Sequence, residues 1–222
     1  MRPSISILQL DTQFPRVPGD VACPATYLDV PEILTVRSAT VRKIVNNQPA
    51  QIDIRPFEEA LDQAKGDIIA TSCGFLSYWQ YPMAARTTRP FVSSALIALD
   101  HLSQRFDPDE LMILTFDQAQ LTADHLGAHP TFARSIIGLP HRHHLRGVIE
   151  TDALKIDQHR AAQELAELVE AHWTPRHKHL LLECTNLPPY KAALRQHHDR
   201  EITDILTVIE AQRPNTVRPE YL

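Results

Sequence analysis

Glycine is scarce, six residues in 222, and neither Gly-x-Gly-x-x-Gly nor a phosphate-loop pattern occurs. That excludes the usual glycine-built cradles for dinucleotides and nucleotides. Cysteine is limited to Cys23, Cys73 and Cys184. An odd number, far apart in sequence and without Cys-x-x-Cys spacing, does not make a disulfide framework, so free thiols are expected. Basic charge is not in excess: the net charge is −5, which leaves no stripe for nucleic acid. There is no apolar run of about 18 residues to cross a membrane. The first residues, Met1-Arg-Pro-Ser-Ile-Ser-Ile-Leu, enter a strand pattern at once, with no signal-peptide h-region, and point to the cytoplasm.

What the chain does have is 43% hydrophobic residues, enough for one large or two small cores. Two stretches echo each other: Asp67-Ile-Ile-Ala-Thr-Ser-Cys73-Gly-Phe75 and His179-Leu-Leu-Leu-Glu-Cys184-Thr-Asn-Leu187. Each is an apolar run of strand length ending in a cysteine and leading into a helical segment. A thiol at such a corner meets the free N–H groups and positive dipole end of the helix, which favour thiolate.

In chain order, the pattern predicts strands near Ser4–Leu10, Ile33–Val41, Asp67–Thr71 and Phe91–Ser94, with helices over Pro56–Lys65, Phe75–Arg86 and Ala95–Arg105. The proline-rich Gln13–Pro24 reads as a long ordered loop. After a turn at Asp107–Glu110 come strands near Leu111–Phe116, Ser135–Leu139, Leu145–Ile149, Leu180–Glu183 and Ile202–Leu206. Helices are predicted over Leu121–Leu126, Asp152–His172 and Pro188–His197. Alternating strands and helices imply an α/β fold of mostly parallel sheets flanked by helices. Ligands of such sheets bind at the carboxyl ends of strands, where Asp11, Cys73, Asp117 and Cys184 fall. The interval from Asp11 to Cys73 nearly equals that from Asp117 to Cys184. Two pseudo-symmetric lobes are therefore expected, residues 1–106 and 107–204, with 205–222 joining the first, and with the active site in the cleft between them.

Leu10-Asp11-Thr12, Thr71-Ser-Cys73-Gly-Phe75, Leu114-Thr-Phe-Asp117 and Glu183-Cys184-Thr-Asn-Leu-Pro-Pro-Tyr190 together resemble the aspartate/glutamate/hydantoin racemase superfamily over nearly the whole chain. The resemblance implies a cofactor-independent isomerase, a racemase or epimerase of amino acids or their derivatives, with Cys73 and Cys184 as its acid/base pair. Asp11, Thr12, Gly74, Phe75, Thr185 and Asn186 would line the substrate site. Where glutamate racemases have Cys-Thr-His, this chain has Cys184-Thr185-Asn186; Asn cannot shuttle a proton, which points away from glutamate and leaves the support of Cys184 to other residues.

Two thiols suit this chemistry because racemisation removes a proton from one face of a carbon and returns one to the other. A thiol of ordinary pKa, about 8.5, is close enough to neutrality to serve in either state. The expected partner is a small carboxylated substrate, aspartate, glutamate or a relative. The amides after the cysteines, with Ser93, Ser94 and Thr115, are candidate donors to its carboxylate. Asp11 would hold the ammonium or orient a thiol, with Asp117 as its counterpart. Arg16 could meet a second carboxylate. Hydantoin racemisation, maleate-type isomerisation and malonate decarboxylation on the same scaffold, or ligand binding without turnover, are the alternatives. Cys23 and the pair Tyr78 and Trp79 read as packing. His141-Arg-His143-His144, His177-Lys-His179 and His197-His198 lack the spacing of metal helices and read as solvated surface. A chain of this class is compatible with a homodimer or larger twofold assembly.

Overall fold

A computed structural model of the chain describes residues 3–195 and 200–222; His197 and His198 lie outside these. The strands are β1 (Ile5–Leu10), β2 (Glu32–Val36), β3 (Ile68–Thr71), β4 (Phe91–Val92), β5 (Leu111–Thr115), β6 (Ile136–Gly138), β7 (His179–Leu182) and β8 (Glu201–Thr203). They form two four-stranded sheets in the orders β2-β1-β3-β4 and β6-β5-β7-β8, every pairing parallel. The two orders are the same topology used twice, so the expected duplication is present. The central strands are apolar along their length because helices cover both faces: β3, β5 and β7 are buried at every residue.

In each sheet the first and third strands in the order of the chain lie side by side, β1 beside β3 and β5 beside β7. Their carboxyl ends therefore sit together, and the residues that follow β3 and β7 are the two cysteine corners. The terminal helix Ile205–Gln212 packs on β3 and β4 of the first sheet. Its N-cap is Asp204, which accepts from the Leu206 and Thr207 amides at 2.8 and 3.0 Å and also pairs with Lys191 Nζ at 2.7 Å, both residues being buried.

Several elements differ from the sequence reading. Leu145–Ile149 lies in a helix, His144–Thr151, because Leu145, Val148 and Ile149 share one helical face and are buried together. The segment after Cys73 is a 3-10 helix, Gly74–Trp79, followed by one short α-turn over Gln80–Ala84; Pro82 removes a donor that a continuous helix would need. The long helix begins at Gln158, capped by the Asp157 side chain on the Arg160 amide. Asp152 instead takes a left-handed conformation, φ 52°, as the C-cap of the preceding helix.

Candidate active site between the two sheets

Cys73 and Cys184 each stand two residues beyond the end of a strand, β3 and β7, and both line a single cavity. The space open within it is small, about 30 Å³. Its wall combines Arg16 and Phe14 from the proline-rich loop, Ser72, Gly74 and Phe75 around the first cysteine, Glu183, Thr185 and Asn186 around the second, and Leu10, Val41, Val45, Phe116 and Ile149.

The two corners lock into each other. Thr185, just after the second cysteine, donates its hydroxyl to the Ser72 carbonyl, just before the first, at 2.7 Å. Reciprocally, Glu183 packs its carboxyl and its carbonyl against Gly74, where any Cβ would collide with both. Gly74 is therefore needed for close approach of backbone and side chain.

Each sulfur accepts a backbone N–H from the residue two further on, Phe75 for Cys73 and Asn186 for Cys184. The corner geometry thus favours thiolate, as the sequence suggested. Burial outweighs it. The Cys73 thiol is pushed up to about 12, mainly by desolvation and then by the Glu183 charge, with Arg16 opposing. Cys184 is likewise raised by burial, then by Glu183. Burial therefore pushes both cysteines toward the thiol form, against the thiolate that the corner amides favour.

Glu183 is fully buried. Its Oε2 accepts from the Thr115 hydroxyl at 2.6 Å, while Oε1 has no hydrogen-bond partner. Burial raises its carboxyl from 4.5 to about 7. Asn186 donates to Asp20 Oδ2 at 2.6 Å and accepts from Cys184 Sγ at 3.7 Å. Asp20, also buried, faces Arg16 Nη1 at 3.4 Å. Arg16 gives Nη2 to Thr12 Oγ1 at 3.0 Å, stacks 4.2 Å from the Phe14 ring centroid, and keeps a buried Nε–H without a partner.

Of the residues singled out from sequence, Cys73, Gly74, Phe75, Cys184, Thr185, Asn186 and Arg16 meet at the cavity. Thr12 stands behind Arg16 and Thr115 behind Glu183. Asp11 is exposed and accepts from the Ser38 amide; it closes a loop and does not line the cavity. Asp117 pairs with Arg146 at 2.7 Å outside the lining. Ser93 and Ser94 are spent on Gln80 and on the Leu96 amide at the end of β4. Glu183 and Asp20 were missed as site residues. A lone carboxylate at the end of an otherwise apolar run, His179-Leu-Leu-Leu-Glu183, was the available signal for the first. Asp20, in an irregular loop, gave none. The histidines of the described clusters are not in the lining, and no three His, Cys, Asp or Glu among the described residues stand as metal ligands would.

The fold is like that of solved glutamate racemases. Glutamate racemase isoform RacE1 from Bacillus anthracis superposes with a TM-score of 0.53 at 12% identity, over 97% of this chain and 84% of that one. Glutamate racemase from Campylobacter jejuni gives 0.50 at 16%, over 96% and 88%. At these identities the likeness is one of fold. In sequence the chain is similar to dimethylsulfoniopropionate lyase 5 of Emiliania huxleyi, 27% identical over 230 residues, 94% of this chain and 44% of that protein. It is also similar to a dimethylsulfoniopropionate lyase of Durusdinium sp. clade D, 23% identical over 215 residues, 86% of this chain and 68% of that one. The chain spans about half the length of the Emiliania huxleyi lyases it matches. No family model matches it.

Proposed function

We propose that this protein uses a cavity thiolate to take a proton from the carbon beside a substrate carboxylate, and that the reaction is β-elimination of dimethylsulfoniopropionate to acrylate and dimethyl sulfide. The observation that carries this reading is the charge pattern of the wall: among the described residues lining the cavity, Arg16 is the one cation. A dicarboxylate such as aspartate or glutamate would call for a second. A monocarboxylate with a sulfonium at its far end calls for one cation and, opposite it, rings and negative charge. Phe75 and Phe116, with Glu183, supply these in the same wall, since a cation is attracted to aromatic faces. The similarity of 94% of the chain to a lyase of that substrate supports the same choice.

Arg16, with its free Nε–H, receives the carboxylate and holds the charge that develops on it as the α-carbon loses its proton. That proton goes to a cysteine thiolate. The C–H electron pair becomes the new C=C bond, and the C–S pair leaves on sulfur, so a neutral thioether departs without needing an acid. The proton on the cysteine then returns to solvent.

Amino-acid racemisation is the second reading, favoured by the equivalent amide contact on each sulfur, which suits two thiols exchanging roles. Proton NMR in D2O separates them. Incubation with dimethylsulfoniopropionate is expected to give vinyl signals of acrylate matched by dimethyl sulfide in the headspace, with the α-protons of aspartate and glutamate retained. Absence of both products together with α-deuteration of an amino acid would overturn the lyase reading in favour of a racemase.

A further inference from the structure

The two halves superimpose in plan but differ at the residue before each cysteine. In the first half it is Ser72, whose hydroxyl accepts from the Leu10 amide at 2.9 Å; in the second it is Glu183, held by Thr115. Ser72 N–H and Glu183 N–H donate to equivalent carbonyls, Leu8 and Leu114, at 3.1 and 2.9 Å. A fully buried acid thus replaces a hydroxyl at one of two otherwise matched positions. It is wedged against Gly74 beside one cysteine, adjoins the other in sequence, and leaves Oε1 unpartnered at the cavity. Thr115 alone would be satisfied by a serine or an amide, so the need for an acid is not structural.

We infer that Glu183 is the proton-holding partner of the two thiols: the buried site carries one negative charge, resting on the Glu183 carboxylate when the cavity is empty and moving to a cysteine as that cysteine's proton passes to the carboxylate. The S–H bond breaks, the O–H bond forms, and the net charge of the site is unchanged. The inference rests on a thiolate acting at this cavity, as in the function proposed above. The other ionisable groups facing the pair are Arg16 toward Cys73, and Asp20 and Tyr190 toward Cys184; none of these acts on both thiols as Glu183 does. Its charge acts on both thiols, and its own carboxyl lies near 7.

A coupled site of this kind has a distinctive pH dependence. Once the single proton is lost, the share of molecules with thiolate and neutral carboxyl no longer depends on pH. Thiolate reactivity should therefore rise up to about pH 7 and then level off. Glu183→Gln keeps the volume and the Thr115 bond but cannot take the proton, so thiol reactivity should go on rising about tenfold per pH unit. The test is the rate of alkylation of Cys73 and Cys184 by iodoacetamide, read by peptide mass, in the wild type and in E183Q, alongside the ultraviolet absorption of thiolate, which needs no reagent access. At pH 8.5 the variant's thiols are expected to react about 30-fold faster, and its thiolate absorption to appear at lower pH. Superimposed profiles in both measurements would overturn the inference. Neither measurement needs a substrate, so failure of the lyase reading would leave them standing. In turnover, E183Q should lose the limb near neutrality from its kcat profile.

Discussion

Gly74→Ala tests the interlock of the two corners. A Cβ at residue 74 would run into the Oε1 and backbone O of Glu183 and stand 2.8 Å from its Cδ. The carboxyl could swing away, but the carbonyl oxygen belongs to a residue whose N–H is tied to Leu114 at the end of β5. The backbones carrying the cysteines must therefore separate. Forcing a methyl into such a contact costs about 1–3 kcal/mol, and because one of the colliding atoms is main chain the upper end applies. For a chain of this size that is a fall in Tm of roughly 6–12 °C, at about 2–4 °C per kcal/mol. The larger effect should be on turnover, since a displacement of about 1 Å between reacting groups costs on the order of 100-fold. Differential scanning fluorimetry and dimethyl sulfide release on the same preparation give both numbers. Wild-type Tm and wild-type turnover in G74A would refute the claim that this contact sets the spacing of the thiols.

Three further outcomes are expected. Because the Glu183 carboxyl is raised from 4.5 to about 7, its charge opposes folding as pH climbs through that window. E183Q should match the wild type near pH 4.5 and exceed it above pH 7 by on the order of 3 kcal/mol in urea unfolding; a constant difference at all pH values would sink this assignment. Arg16→Met should raise KM by about 10- to 150-fold, the worth of a hydrogen bond between charged groups, and push the Cys73 thiol higher still; unchanged KM would remove Arg16 from the carboxylate site. Lys191→Met should cost about 3–5 kcal/mol by leaving Asp204 as an unpaired buried charge, and K191M with Asp204→Asn should recover part of it; an unaltered melting curve would show the pair to be dispensable.

Most strands and the two-lobed parallel plan were legible because buried parallel strands write themselves as apolar runs, as Asp67–Thr71 and Leu111–Phe116 do; the order of strands within each sheet comes from the structure alone. The cysteine corners followed from the same runs. Leu145–Ile149 was ambiguous because a few apolar residues suit a strand as well as a helical face, and only packing against the helix Gln158–His172 decides. Asp11 misled because an aspartate at a strand end caps a loop as readily as it meets a ligand, and here it holds the Ser38 amide. Asp20 reaches Asn186 across 166 residues of sequence, a contact that no local pattern encodes. The thiol pKa values were misjudged for a related reason: the helix-end amides are local and visible in sequence, whereas the burial that outweighs them depends on tertiary packing.

In the proposed elimination a cysteine thiolate of the cavity takes the α-proton, so at least one of the two thiols is indispensable. The decisive measurement is kcat on dimethylsulfoniopropionate for Cys73→Ser and Cys184→Ser, each checked by circular dichroism for an intact fold. Loss of about 1,000-fold or more in at least one of them, from replacing the thiolate base with a hydroxyl that does not ionise near neutrality, is the expected result. Full turnover by both folded variants would rule out a cysteine base.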